Sequence, residues 1–228
     1  MSRARGNRPQ RCPYATKGGL KLEFALRRFA LSVQGLRAAD FGCHRGGFTD
    51  CLLAHGAAHV YAVDTGYGVL DWRLRNDPRV TVRERSNLLH WTDPDPLDLV
   101  VIDAGWTRQS LSVPAAFRSL KADGLALSLV KPQYEAAKRN LHRGVLHEAD
   151  VAGVLANVQT ELSRTCVIAG EAKSPLPGSG GNTEHWLLLR RKETALDAPA
   201  LSSDRPARSE CSPSCDLTEG AEPCGNRP

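Results

Sequence analysis

Residues 39–50 read ADFGCHRGGFTD, and this stretch decides the fold. LRAADFG (36–42) is an apolar run of strand type, and GFTDCLLAHG (47–56) continues as a helix that Gly56 closes. The turn between them has the form D-x-G-x-x-x-G-G, with Asp40, Gly42, Gly46 and Gly47. Glycine lets a backbone turn sharply and come close to a ligand. The pattern is not the G-x-G-x-x-G of dinucleotide enzymes. A turn that only cradles phosphate has no need of an acid in front of it, whereas Asp40 can attract a cationic group.

Outward from this turn, strands and helices alternate. GGLKLEFALRRFAL (18–31) carries Leu20, Phe24, Leu26, Ala30 and Leu31 at helical spacing. HVYAVD is a strand ending in Asp64, VTVRER a short strand, and LDLVVID a buried one ending in Asp103. SVPAAFRSLKADG reads as a helix stopped by Gly124, LALSLVK as a strand ending in Lys131, and HEADVAGVLANVQTELS as a long amphipathic helix. TCVIAGEAK and TEHWLLLRR close the pattern as two strands. Such alternation predicts an α/β fold with a mostly parallel, doubly wound sheet. The last two strands have no full helix between them, which predicts one antiparallel strand. In such a sheet a ligand sits outside the C-terminal strand ends.

Composition bounds the function. The 228 residues favour one domain, and 41% hydrophobic content is enough for a substantial core. No apolar run reaches the ~18 residues of a membrane-spanning helix. The basic N-terminus MSRARGNRPQRCP lacks the apolar stretch of a secretory signal, so a cytoplasmic protein is expected. Residues 1–13 read as a flexible basic arm and 14–192 as the folded domain. Residues 193–228 are rich in Pro, Ser and acids, too poor in apolar residues to offset the entropy of ordering, and read as a disordered tail. That tail holds seven acids against three arginines, so the 30 basic and 25 acidic residues of the chain leave 27 and 18 in residues 1–192. A basic body suits a polyanion, because Lys and Arg release counterions from phosphates. Seven cysteines without a signal peptide read as reduced thiols. Cys211, Cys215 and Cys224 lack the paired spacing of a zinc site, and no metal is expected.

Four distant segments each carry a charged residue: TKGGLKLEFAL with Lys21, LVVIDAGW with Asp103, LSLVKPQYE with Lys131, and GSGGNTEHWLLL with Glu184. The order Lys–turn–Asp–Lys–Glu resembles the FtsJ-like ribosomal RNA 2′-O-methyltransferases, and within them the TlyA (hemolysin-like) branch. The resemblance runs from about Tyr14 to Arg191. It implies a Rossmann-like methyltransferase fold, S-adenosyl-L-methionine as cofactor, and RNA, ribosomal in the first instance, as partner. It implies a cofactor site at Asp40, Gly42, Gly46, Gly47 and Phe48, with Asp64 receiving the ribose hydroxyls, Asn87 near the adenine and Asp103 as a wall. It also implies a catalytic set of Lys21, Asp103, Lys131 and Glu184. A ribose 2′-hydroxyl is a weak nucleophile that must be held in line and lose its proton as the bond forms. Lys131 is the expected base, with Asp103 orienting its amine. Lys21 is expected as the second cation, with Glu184 holding both Lys21 and the ribose in place.

Two departures stand out. Relatives carry small residues in the turn where this chain has His44 and Arg45, which face solvent or RNA or else crowd the methionine end. Relatives also have a smaller, more apolar segment after the aspartate where this chain reads AGWTRQ, so Trp106 is either a stacking platform for a base or ordinary packing. Glu135 and Lys138 are expected to border an RNA groove. Members of the branch commonly carry a small RNA-binding domain before the methyltransferase. About 13 residues precede the resemblance here, so recognition is expected from the catalytic domain, the arm or a partner. Two alternatives remain open: a methyltransferase of the same fold acting on a base or small molecule, and a non-catalytic RNA-binding protein with a decayed site.

Overall fold

A computed structural model describes residues 12–93 and 95–192. The basic arm up to residue 11, the acidic tail and the three tail cysteines lie outside the described residues. In chain order the elements are α1 (Gly18–Arg28), β1 (Arg37–Phe41), α2 (Gly47–Ala54), β2 (His59–Val63), α3 (Trp72–Arg75), β3 (Val80–Arg83) and β4 (Leu97–Ile102). Then come α4 (Gln109–Arg118), β5 (Leu120–Val130), α5 (Pro132–Glu135), β6 (Leu141–His142), β7 (Val145–Leu146), α6 (Glu148–Leu162), β8 (Cys166–Lys173) and β9 (His185–Arg191).

Seven strands form one sheet in the order β3-β2-β1-β4-β5-β9-β8. The first five are mutually parallel, and β9 runs antiparallel between β5 and β8, as the missing crossover helix predicts. Side chains alternate between the two faces with the period of a strand. Ala38, Val60, Ala62, Leu99, Val101, Leu127 and Leu129 pack into one layer with Leu22, Ala25 and Leu26 of α1 and Phe48, Cys51 and Leu52 of α2. Ala39, Phe41, Val63, Val100, Ile102, Ala126 and Val130 pack on the other face with Val113, Ala116 and Phe117 of α4 and Leu155, Val158 and Leu162 of α6. The strand order reverses direction between β1 and β4, and that crevice is where a doubly wound sheet takes its ligand.

The structure departs from the sequence reading at one boundary. The helix predicted to run to Gly124 ends at Arg118, and β5 already begins at Leu120. Leu120 pairs with Leu97, and the register then shifts before Leu125 meets Leu99. This irregularity leaves no room at Gly124, where an added Cβ would lie 3.0 Å from the Leu97 carbonyl oxygen and from a Leu120 methyl. Gly124 is therefore a tight point inside a strand, not a helix stop. The α3 turn, α5 and the β6–β7 hairpin were not visible in the periodicity. Cys43, Cys51 and Cys166 are buried free thiols and Cys12 is an exposed one.

Candidate active site

A cavity of about 710 Å³ opens at the C-terminal ends of β1, β2, β4 and β5. Its lining includes Asp40, Gly42, Gly47, Phe48, Asp64, Asn87, Asp103, Lys131 and Lys21. Residues from six separate stretches of the chain thus meet in one crevice. Gly46, also expected there, caps the start of α2 in a left-handed conformation (φ 90°), and its Cα packs toward Leu70 and Leu74.

The turn is built by close approaches. Gly42 has φ +90°, and a Cβ there would lie 2.7 Å from the Asp103 carbonyl oxygen. This contact draws the end of β1 against the end of β4, so a side chain at Gly42 would force the two strand ends apart. A Cβ at Gly47 would lie 2.1 Å from Thr16 Oγ1, and through this gap the segment before Lys21 reaches the cavity. Phe48 forms part of the floor, its ring 5.4 Å from that of the fully buried Trp186.

Asp40 is fully buried. Its Oδ2 accepts hydrogen bonds from Thr49 N at 2.9 Å and Thr49 Oγ1 at 2.7 Å, while its Oδ1 is buried and has no partner. Burial pushes its carboxyl up to about 7, against the opposing pull of the Thr49 bonds. Asp64 is engaged by backbone: Oδ2 accepts from His44 N at 2.8 Å and Oδ1 from Gly66 N at 2.7 Å. Each of its oxygens keeps a further lone pair with which to accept, and Asp64 lines the cavity. Asn87 Oδ1 accepts from Leu89 N at 2.9 Å, an Asx turn that fixes the side chain at the far rim. His44 (φ +46°) and Arg45 are both exposed, and both border the cavity.

Four charges stand as two ion pairs. Lys131 Nζ lies 2.6 Å from Asp103 Oδ1, with side chains 17% and 27% exposed. Lys21 Nζ donates to Glu184 Oε2 at 2.6 Å, with side chains 14% and 2% exposed. Glu184 does not border the cavity. It sits behind Lys21 under the loop at Gly178, where an added Cβ would lie 2.0 Å from Glu184 Oε1. Burial raises the Glu184 carboxyl, Lys21 opposes that rise, and the charges of Asp103 and Lys131 also act on it, so the two pairs share one electrostatic neighbourhood.

Some features went unread in the sequence. Thr49, the partner of Asp40, carries no local signal. Asp50 is another: its Oδ2 accepts from Ala15 N at 2.8 Å and pairs with Arg73 at 2.5 Å, tying the approach to Lys21 to α3. Glu135 does not line the cavity; it accepts from Gln109 N at 2.8 Å and so caps α4. Trp106 is 87% exposed at the cavity rim in a left-handed backbone (φ +68°), its ring 5.1 Å from that of Tyr134. No helix among the described residues is long and apolar enough to cross a membrane, and no metal-binding cluster occurs among them.

Comparison with known proteins agrees with this architecture. The 16S/23S rRNA (cytidine-2′-O)-methyltransferase TlyA of Mycobacterium tuberculosis is 41% identical over 82% of this chain and 73% of that protein. Hemolysin A of Brachyspira hyodysenteriae is 32% identical over 77% of this chain and 76% of its own length. The solved structure of a hemolysin-named protein from Streptococcus thermophilus superposes with a TM-score of 0.77 and 34% identity, covering 82% of this chain and 70% of that one. The profile of the FtsJ-like methyltransferases matches residues 14–191, the whole sheet and both helical layers, and the chain belongs to that family, alongside its TlyA and hemolysin-like members.

Proposed function

We propose that the chain methylates the 2′-hydroxyl of a ribose in ribosomal RNA, with S-adenosyl-L-methionine as methyl donor. The observation that carries this reading is the meeting of two lysine–carboxylate pairs beside one cavity at the sheet's switch point. The TlyA relative, 41% identical, is named for this reaction on 16S and 23S rRNA. The basic body of residues 1–192 suits such a substrate, and a ribosomal target implies work in the cytoplasm. The catalytic unit on this reading is residues 14–192.

The cavity fits the cofactor. Asp40 Oδ1, buried and unpartnered at the cavity, matches a cationic ammonium group. Asp64, Gly42, Gly47, Phe48 and Asn87 would hold the rest, with Asp103 as a wall, while Gly46 does not line the cavity and shapes the turn from behind. Bound there, the cofactor supplies an electrophilic methyl group. Lys131, at the edge of β5, takes the proton from the ribose hydroxyl. Asp103 aims the Lys131 amine. Lys21 places a second positive charge beside the reacting oxygen, and Glu184 holds Lys21 from behind. The exposed rim positions of His44 and Arg45 favour an intact cavity over a decayed one.

The test incubates the purified protein with methyl-labelled cofactor and bacterial 16S rRNA, 23S rRNA or ribosomal subunits. The RNA is then digested and the modified nucleoside identified by mass. A 2′-O-methylated ribose is expected. Label on a base would overturn the reaction class, and no cofactor binding by the folded protein would overturn the enzyme reading.

A further inference from the structure

Between α5 and α6 the chain forms a small feature that the site above does not use. β6 and β7 pair antiparallel, Leu141 with Leu146 and His142 with Val145, leaving Arg143-Gly144 as a two-residue turn. Both turn residues have positive φ, +51° and +82°. Such turns favour Asn-Gly, because asparagine tolerates the left-handed region that a long side chain resists. An arginine is held here in a strained conformation at an exposed tip.

The arginine is not alone. Lys138, Arg139 and His142 are also exposed on the same short segment. Among the described residues no carboxylate pairs with Lys138, Arg139 or Arg143. The neighbouring Glu148 is occupied by Lys173 and Thr183. The hairpin is also fixed in place. Asn182 Oδ1 accepts from Leu146 N at 3.0 Å, and Asn182 Nδ2 donates to the Gly144 carbonyl at 3.1 Å. Asn182 lies two residues before Glu184, and the hairpin begins ten residues after Lys131. A free basic tip is thus fastened between the segments that carry two of the four site charges.

We infer that this hairpin is a phosphate grip, holding the RNA backbone that flanks the target ribose through Lys138, Arg139 and Arg143. The inference rests on the RNA reading above. Unpaired cations on a fixed support release counterions on contact with a polyanion and position it without reading sequence. The rigid link through Asn182 would let that contact set where the ribose lies relative to Lys21 and Lys131.

The test measures binding of a fluorescent RNA hairpin, and methyl transfer to 23S rRNA, from about 50 to 200 mM salt. The parent is compared with Lys138→Gln/Arg139→Gln/Arg143→Gln and with Arg143→Asn alone. The triple variant should keep its melting temperature and cofactor affinity while the slope of log affinity against log salt falls by about 2 to 3. Arg143→Asn places the favoured residue in the turn, so its melting temperature should hold or rise while the slope falls by about 1. Unchanged RNA affinity and slope in both variants, with the parent binding RNA, would overturn the grip alone. A parent that does not bind RNA would overturn the grip and the RNA reading together. Loss of binding to anionic vesicles instead of RNA would assign the hairpin to membranes and equally overturn the proposal.

Discussion

The two ion pairs are built from the same chemistry and stand in opposite settings. Lys131 and Asp103 face the cavity, each partly exposed, at the ends of adjacent parallel strands. Lys21 and Glu184 join residues 163 positions apart, and the carboxylate is 2% exposed. A pair open to solvent contributes little to stability, about 0–1 kcal/mol, and the Lys131–Asp103 pair lies closer to that limit than its counterpart. A buried pair is costly to break, about 3–5 kcal/mol when one partner is removed, because the other is left as an uncompensated charge. The difference separates a pair open to the cavity from a pair closed off behind it.

The largest effect should fall on the open pair. Lys131→Ala should lower methyl transfer about 10²–10⁴-fold while changing cofactor affinity little and costing less stability than Lys21→Met. Lys131→Arg should fail as well, since guanidinium keeps its proton. Single-turnover transfer, calorimetric cofactor binding and thermal melting together check this. Near-normal transfer by the arginine variant would remove Lys131 from the base role and erase the contrast.

The closed pair should answer in stability first. Lys21→Met leaves Glu184 buried with only the weaker pull of Lys131 to oppose the rise of its carboxyl. A carboxyl raised in the folded state above its unfolded value binds more protons folded than unfolded, so stability falls as pH rises from the unfolded value to the folded one. The variant should lose about 3 kcal/mol near pH 8, the low end for a buried pair because Lys21 is 14% exposed, and recover part of it toward pH 5. Melting curves across that range decide it. A loss independent of pH would mean that packing, not charge, holds Glu184.

A smaller effect sharpens the comparison on the cofactor side. Asp40 is another buried carboxyl, raised to about 7, but its free Oδ1 has no lysine. Without cofactor, its contribution to stability should decline as pH rises from about 4 to 7 and level off above that. Affinity for S-adenosyl-L-methionine should rise across pH 6 to 8 as the carboxylate forms. Asp40→Asn keeps an acceptor for Thr49 and removes the buried charge. It should be at least as stable as the parent at pH 8 and bind cofactor about tenfold more weakly, with no pH dependence through 7. Equal affinity in parent and variant would remove Asp40 from the ammonium site.

What the sequence disclosed follows the same division. Strand ends were legible because an apolar run stops at a charge, as in LDLVVID and LALSLVK, and a parallel sheet puts such ends on one edge. The antiparallel β9 was legible because too few residues separate it from β8 to build a crossover helix. The burial of Glu184 was not legible, since it depends on Lys21 arriving from the other end of the chain and on Gly178 lying against the carboxylate. The early start of β5 was hidden because Leu120 extends the helical pattern of α4 while its partner Leu97 lies far back in sequence. The β6–β7 hairpin was hidden because its strands are too short to show alternation and Arg-Gly is an unusual turn pair.

The span from Lys21 to Glu184 also makes the fourth charge a certificate of completion. Every residue that lines the cavity lies between Thr16 and Lys131. A nascent chain halted before residue 184 can therefore carry all the cavity's residues and still lack the carboxylate that holds Lys21. The cavity is encoded early in synthesis and the full charge set only near the end, so on the proposed reading methyl transfer would report that both ends of the domain have docked.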